Sequence, residues 1–255
     1  HCHATSIEPP NIFLKTILHK FSKIFYSKYA DYYIGLSEDT IRWVFPQKSK
    51  IDKTVLNCGV EIEKFKFNED IRNQIRKKLN ITNKYVVGTV GRFSKQKNPF
   101  FILDIIEECI KMEENFTFLW IGDGEYFNKI REIAKNRGID KHIYFLGVCE
   151  NIEEYYSALD LFILPSLYEG NPIACLEAQT NGLKCIISDE ITKTANITGS
   201  VRFLGIENPT EWAIEIMNLK NDCNHVSYLE KISAKGYSVK DNAEKLEKIY
   251  DRLEN

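Results

Sequence analysis

From residue 66 onward, short apolar runs alternate with helix-period segments. The runs fall at 85–90, 116–121, 143–146, 161–164 and 184–188, with a final short one at 201–204. Helical patterns at 100–112, 126–137, 152–159 and 173–181 separate them, and a helix at 69–79 precedes them. Apolar runs without polar alternation belong to strands buried on both faces. Strands that each follow a helix pair in parallel, because a parallel connection needs a crossover long enough to hold one. The expected class is therefore α/β, a parallel sheet with helices on both faces.

The flanks read differently. Residues 11–29 form an amphipathic helix with Phe13, Leu14, Ile17, Leu18, Phe21, Ile24 and Phe25 on one face and Lys15, Lys20, Lys23 and Lys28 over the rest. Short strands are expected at 32–36 and 53–56, with Ser37-Glu-Asp-Thr40 capping a helix between them. Three helical stretches, 209–219, 225–235 and 239–253, close the chain. A chain of 255 residues, 44% hydrophobic and 27% charged, can bury a substantial core. The net charge of −2 gives no general attraction to nucleic acid, and no apolar run is long enough to span a bilayer. Seven scattered cysteines, an odd number without regular spacing, suit a reduced, cytoplasmic setting better than a disulfide framework.

Two strand-to-helix corners carry the candidate chemistry. The run ending at Gly91 is followed by Arg92-Phe-Ser-Lys-Gln-Lys97, with Asn98-Pro99 opening the next helix. Cations just past the carboxyl end of a strand lie where doubly wound sheets bind ligands. Arg92 can grip a phosphate through two parallel hydrogen bonds, and Lys97 adds a point charge. In the second corner, Glu169 stands in the loop after 161–164 and Glu177 about two turns away inside the following helix. Gly170-Asn171-Pro172-Ile173 opens that helix, where unpaired N–H groups and the helix dipole favour an anion. Two carboxylates flanking an anion site suit hydroxyl-rich groups at either end of a diphosphate, the layout of a sugar nucleotide. Each feature alone has a plainer reading, a solvated basic loop or an acidic helix start; their order along one chain argues for a joint site.

Tyr168-Glu169-Gly170 followed by Leu176-Glu177-Ala178 resembles the E-x7-E signature of family-four retaining glycosyltransferases of the GT-B fold. The continuation Asn181-Gly-Leu-Lys-Cys-Ile-Ile-Ser-Asp-Glu-Ile-Thr192 is similar to the capsule and exopolysaccharide branch. Gly91-Arg92 with Lys97 resembles the element that neutralises the departing diphosphate. Asn57-Cys-Gly-Val-Glu61 resembles the inter-domain crossing, with Cys58 and Glu61 where the family has asparagine and aspartate. His1-Cys-His3 resembles a His-x-His segment that lies deep in the first domain, so the chain is expected to start partway through that domain.

The resemblance implies a Rossmann-like GT-B C-terminal domain over 61–238, a partial acceptor-side domain over 1–60, and a helix 239–255 crossing back to it. It implies Glu169, Arg92, Lys97 and His3 (or His1) as catalytic residues. Donor binding would fall to Gly91, Gly122, Gly147, Val148, Gly170, Asn171, Pro172, Ile173 and Glu177. Gly122-Asp-Gly-Glu125 admits either pure turn chemistry, with Asp123 capping the helix, or direct ligand contact.

The expected activity moves a sugar, with retention, from a nucleoside-diphosphate donor, UDP-linked by expectation, to a glycan or lipid-linked acceptor in surface polysaccharide synthesis. The other reading is a catalytically impaired nucleotide-sugar-binding protein or one part of a split enzyme. No cofactor or metal is expected: the sequence holds no Asp-x-Asp pair, and the His1/His3 spacing lacks a second ligand pair. A nicotinamide site is disfavoured because Gly88-Thr-Val-Gly91 lacks the three-glycine spacing. The basic helix 11–29 could rest on an anionic membrane at its cytoplasmic face or pack with a solvated lysine side.

Overall fold

The computed structural model describes residues 29–36, 38–45 and 50–254. His3 and all but the last residue of the expected helix 11–29 lie outside these. In chain order the elements are β1 (Tyr33–Gly35), α1 (Glu38–Val44), β2 (Lys53–Val55), α2 (Ile62–Phe65), α3 (Glu69–Lys78) and β3 (Tyr85–Val90). Next come α4 (Pro99–Met112), β4 (Phe116–Ile121), α5 (Phe127–Asn136), β5 (Ile143–Gly147), α6 (Ile152–Ala158), β6 (Leu161–Leu164) and α7 (Ile173–Thr180). The chain continues through β7 (Cys185–Ser188), β8 (Val201–Leu204), α8 (Pro209–Leu219), α9 (Leu229–Ala234) and α10 (Val239–Glu254).

The described residues fall into two compact units, one spanning Val60–Ile232 and the other gathering those up to Gly59 with those from Ser233 on. The smaller unit holds the parallel pair β1–β2. Its terminal helix α10 is tied in by Asn242, whose side-chain amide donates to the Asn57 carbonyl at 2.9 Å.

The larger unit is built on a six-stranded sheet in the order β5-β4-β3-β6-β7-β8, every pair parallel. β3, β4, β6 and β7 are buried along nearly their whole length, as their mainly apolar runs require. Helix α4 packs against α5 and α8, while α3, α6 and α7 associate separately through the contacts of α6. The core gathers Phe101, Ile105, Phe116, Phe118, Trp120, Ile163 and Trp212.

Strand order follows chain order from β3 outward to β5, then reverses to β6 on the other side of β3. The connections leaving β3 and β6 therefore part in opposite directions, which opens a crevice at their carboxyl ends. The opposite end of the same strands is clamped shut. Asp160, just before β6, accepts hydrogen bonds from the Val86 N–H at 2.7 Å, from Arg76 at 2.5 Å and from Arg72. Arg76 also donates to the Ala158 carbonyl at 2.9 Å. Helix α3 is thereby fixed to β3 and β6, so the two corners at the far end inherit a rigid base.

The expected helix 225–235 shortens to α9, because residues before it are used to tie the chain to the sheet. Both ring nitrogens of His225 lie at hydrogen-bond distance from carbonyls, of Asn181 at 3.0 Å and of Leu159 at 3.1 Å. Its ring stacks on Phe67, and the Val226 N–H donates to the Gly182 carbonyl at 3.1 Å.

Candidate functional site

The basic corner after β3 is anchored by the one apolar residue among its polar ones. Phe93 is 1% exposed and stacks on Trp120 with ring centroids 4.6 Å apart. Its N–H donates to the Asp123 carbonyl at 3.0 Å, and its own carbonyl accepts from the Tyr126 N–H at 2.9 Å. With Phe93 held inward, Arg92 is exposed, and residues Lys95–Lys97 wind into a single 3-10 turn. Asn98 ends the turn in the left-handed conformation (φ 53°), which asparagine tolerates and which the α conformation before Pro99 would not replace without a clash.

That turn sends Lys97 back over Gly91, where a Cβ would stand 3.1 Å from the lysine Cε. Its ammonium reaches Glu169 Oε1 at 2.5 Å. Among the described residues, the exposed Arg92 guanidinium pairs with neither glutamate, and Lys97 is the cation that meets the acidic corner.

The acidic corner is laced to the basic one by more than charge. The Leu167 N–H donates to the Gln96 carbonyl at 2.8 Å, and the Gln96 side chain donates to the Tyr168 carbonyl at 2.9 Å and to Glu169 Oε2 at 3.4 Å. Ser166, fully buried, donates to Glu169 Oε1 at 2.7 Å. Glu169 is thus held by three side chains from two loops. Beyond it, the N–H groups of Gly170, Asn171 and Ala174 have no acceptor among the described residues. The Ile173 N–H is different: it closes on the Asn171 carbonyl at 2.9 Å, so the open donors frame the turn without including Ile173. Pro172, the cap residue of α7, contributes no N–H and accepts from Cys175 and Leu176.

Glu177 lies farther along α7, with Oε2 accepting a hydrogen bond from the Tyr156 hydroxyl at 2.7 Å. Burial pushes its carboxyl up to about 6; the Tyr156 hydrogen bond and Lys64 oppose the rise, and Glu153 adds to it. Glu153 Oε2 is itself buried without a hydrogen bond, 3.7 Å from the Lys64 ammonium.

The corners after β4 and β5 complete the rim. Gly122 has φ +134°, and a Cβ there would fall 2.0 Å from the Gly91 carbonyl oxygen. Turn and packing thus both demand glycine at this point. Asp123 does not cap α5; its carboxylate takes the Gly124 N–H at 2.7 Å. The Gly122 N–H donates to the Gly147 carbonyl at 2.8 Å, and Val148 beyond it is 80% exposed. Two open depressions lie elsewhere, along the edge strand β5: one is lined by Lys84, Asn115 and His142, the other by Asn128, Arg131 and Lys135. Neither touches the paired corners. Among the described residues, no group of three His, Cys, Asp or Glu side chains could hold a metal ion, and no helix is long and apolar enough to cross a membrane.

Gly91, Lys97, Gly122, Gly147, Glu169 and the turn Gly170–Ile173 therefore stand on adjoining carboxyl-end corners, with Glu177 farther along α7. Sequence reasoning missed Phe93, Gln96, Ser166 and Tyr156. Phe93 carried a signal, an aromatic residue between polar neighbours; the other three carried none.

The family model described as "Glycosyl transferases group 1" matches residues 71–249, which include both corners. The chain belongs to the group 1 glycosyl transferases. It is 33% identical over 184 residues to an Escherichia coli protein named UDP-Gal:alpha-D-GlcNAc-diphosphoundecaprenol alpha-1,3-galactosyltransferase, covering 68% of this chain and 46% of that one. It is 29% identical over 214 residues to the capsular polysaccharide biosynthesis glycosyltransferase CapH of Staphylococcus aureus, covering 81% and 55% respectively. The chain spans about half the length of the curated relatives it matches. Its fold is that of Anabaena HepE, crystallised in complex with UDP, at a TM-score of 0.79 and 18% identity over 98% of this chain and 71% of that one.

Proposed function

We propose that the larger unit is the donor-binding part of a retaining glycosyltransferase, which moves a sugar from a UDP-linked donor to a glycan or lipid-linked acceptor in surface polysaccharide synthesis. The observation that carries this reading is the direct link between the corners, Lys97 to Glu169 at 2.5 Å, at the crevice where the strand order reverses. A glycosyl diphosphate offers each partner a replacement for the other. The phosphate takes over Lys97, and the sugar hydroxyls take over Glu169.

In this mechanism Lys97 and Arg92 stabilise the charge that builds on the departing diphosphate, which is where fixed cations lower a barrier most. The N–H groups of Gly170 and Asn171 hold phosphate oxygens. Glu169, steadied by Ser166 and Gln96, orients the sugar. Glu177 accepts from the ribose hydroxyls, and the base lies against Gly147 and the exposed Val148. The acceptor hydroxyl attacks from the face the diphosphate leaves, which retains the anomeric configuration, and no carboxylate becomes covalently attached. Two relatives support donor and acceptor: one is named for a UDP-galactose donor and a diphosphoundecaprenol-linked sugar, and the other for capsular polysaccharide biosynthesis.

The test is donor hydrolysis over a panel of sugar nucleotides, with wild type and Glu169→Gln compared. Turnover of the preferred donor should fall at least a hundredfold in the variant, with its melting temperature unchanged. Equal turnover would remove Glu169 from the mechanism.

A further inference from the structure

Tyr156 is fully buried, yet its hydroxyl points at the one carboxylate that the donor reading assigns to ribose. The Ala174 carbonyl also lies within reach, at 3.2 Å, but the hydroxyl has a single proton and the shorter contact, 2.7 Å, is to Glu177 Oε2. Glu177 Oε1 accepts no hydrogen bond from any described residue. The carboxylate is therefore divided: one oxygen faces the protein and the other is free.

We infer that Tyr156 is a positioning residue, fixing Glu177 so that Oε1 alone faces the ribose hydroxyls and nucleotide affinity depends on a phenol that never touches the nucleotide. This rests on the donor reading given above. The same helix α6 carries Glu153 one turn before Tyr156, and three packed elements meet the pair: α2 with Lys64, α7 with Glu177 itself and Cys175, and β7 with Cys185. Glu153 repels the Glu177 charge and Lys64 draws it back. Tyr156 is the only group among these that both favours the ionised carboxylate and fixes its rotation. A hydrogen bond from a neutral donor to a buried carboxylate is among the stronger kinds, so its loss should be felt in the ligand.

The experiment measures the Glu177 titration by 13C NMR of the side-chain carboxyl in the full chain, with and without Tyr156→Phe. It then measures the affinity for UDP and for 2′,3′-dideoxy-UDP from pH 5 to pH 8. With the phenol gone, Glu177 should titrate about one unit higher, and UDP affinity at pH 7.5 should drop roughly tenfold. The acid limb of UDP binding should move up with the Glu177 titration, and the preference for UDP over the dideoxy analogue should shrink. A purely structural tyrosine would weaken both nucleotides alike and leave the Glu177 titration in place; that result overturns the inference. Should Tyr156→Phe fail to fold, 3-fluorotyrosine at 156, a stronger donor, must move the titration down, and no movement would be equally fatal. If the wild type binds neither nucleotide, the ribose assignment fails, while the NMR titration still decides whether Tyr156 controls Glu177.

Discussion

Glu177→Gln should make the protein more stable while making it a worse nucleotide binder. The carboxyl is pushed to about 6 in the folded chain against an ordinary value of 4.5. Folding therefore holds the proton more tightly than the unfolded chain does. Between those two pH values the folded state binds more protons, so stability falls as pH rises through the window and stays lowered above it. At about 1.36 kcal/mol per pH unit, the ionised carboxylate costs about 2 kcal/mol at pH 7.5. Glutamine keeps the shape and still accepts from Tyr156, but carries no charge to desolvate. Urea unfolding followed by fluorescence reports the relevant unit, because Trp120 and Trp212 are both buried there. With a slope of roughly 3 kcal/mol per molar urea, the midpoint should rise by about 0.7 M at pH 7.5. At pH 4.5 the gain should fall to roughly a few tenths of a kcal/mol, because wild-type Glu177 is then protonated in the fold. A variant less stable than wild type at pH 7.5, or a gain that ignores pH, would refute the reasoning.

Two other perturbations test the frame that positions the site. Asp160→Ala strands two guanidinium groups and the Val86 N–H, and should cost about 3–5 kcal/mol in urea unfolding, with Asp160→Asn intermediate. Gly122→Ala places a Cβ 2.0 Å from the Gly91 carbonyl at a φ that L-residues avoid. It should lower the melting temperature by several degrees, roughly 4 °C or more, and weaken UDP binding, because both corners must shift; a variant with an unchanged melting temperature would show that the turn relaxes freely.

The sheet of the larger unit was legible because its strands are buried on both faces. A run such as Leu161–Leu164 has no polar position to confuse with a helix, and the observed strand copies it. The corners were legible as motifs, since glycines, cations and acids at strand ends are local features. What the sequence did not convey was which partners meet. Arg92 outranks Lys97 as a phosphate ligand by chemistry, but the burial of Phe93 and the 3-10 turn through Gln96 turn Lys97 toward Glu169. The Asp160 clamp and the Tyr156–Glu177 bond join residues 74 and 21 positions apart, and nothing local marks them. His225 reads as the start of a helix until both its nitrogens are seen against carbonyls of other segments.

The most direct test of the diphosphate site is calorimetric titration of UDP into the wild-type chain and into Lys97→Met, in low and in high salt. Lys97 is predicted to leave Glu169 for the phosphate, so wild type should bind UDP, and the variant should lose about tenfold or more in affinity along with much of the salt dependence. Equal affinity for UDP in the two proteins would mean that the diphosphate does not lie between these corners.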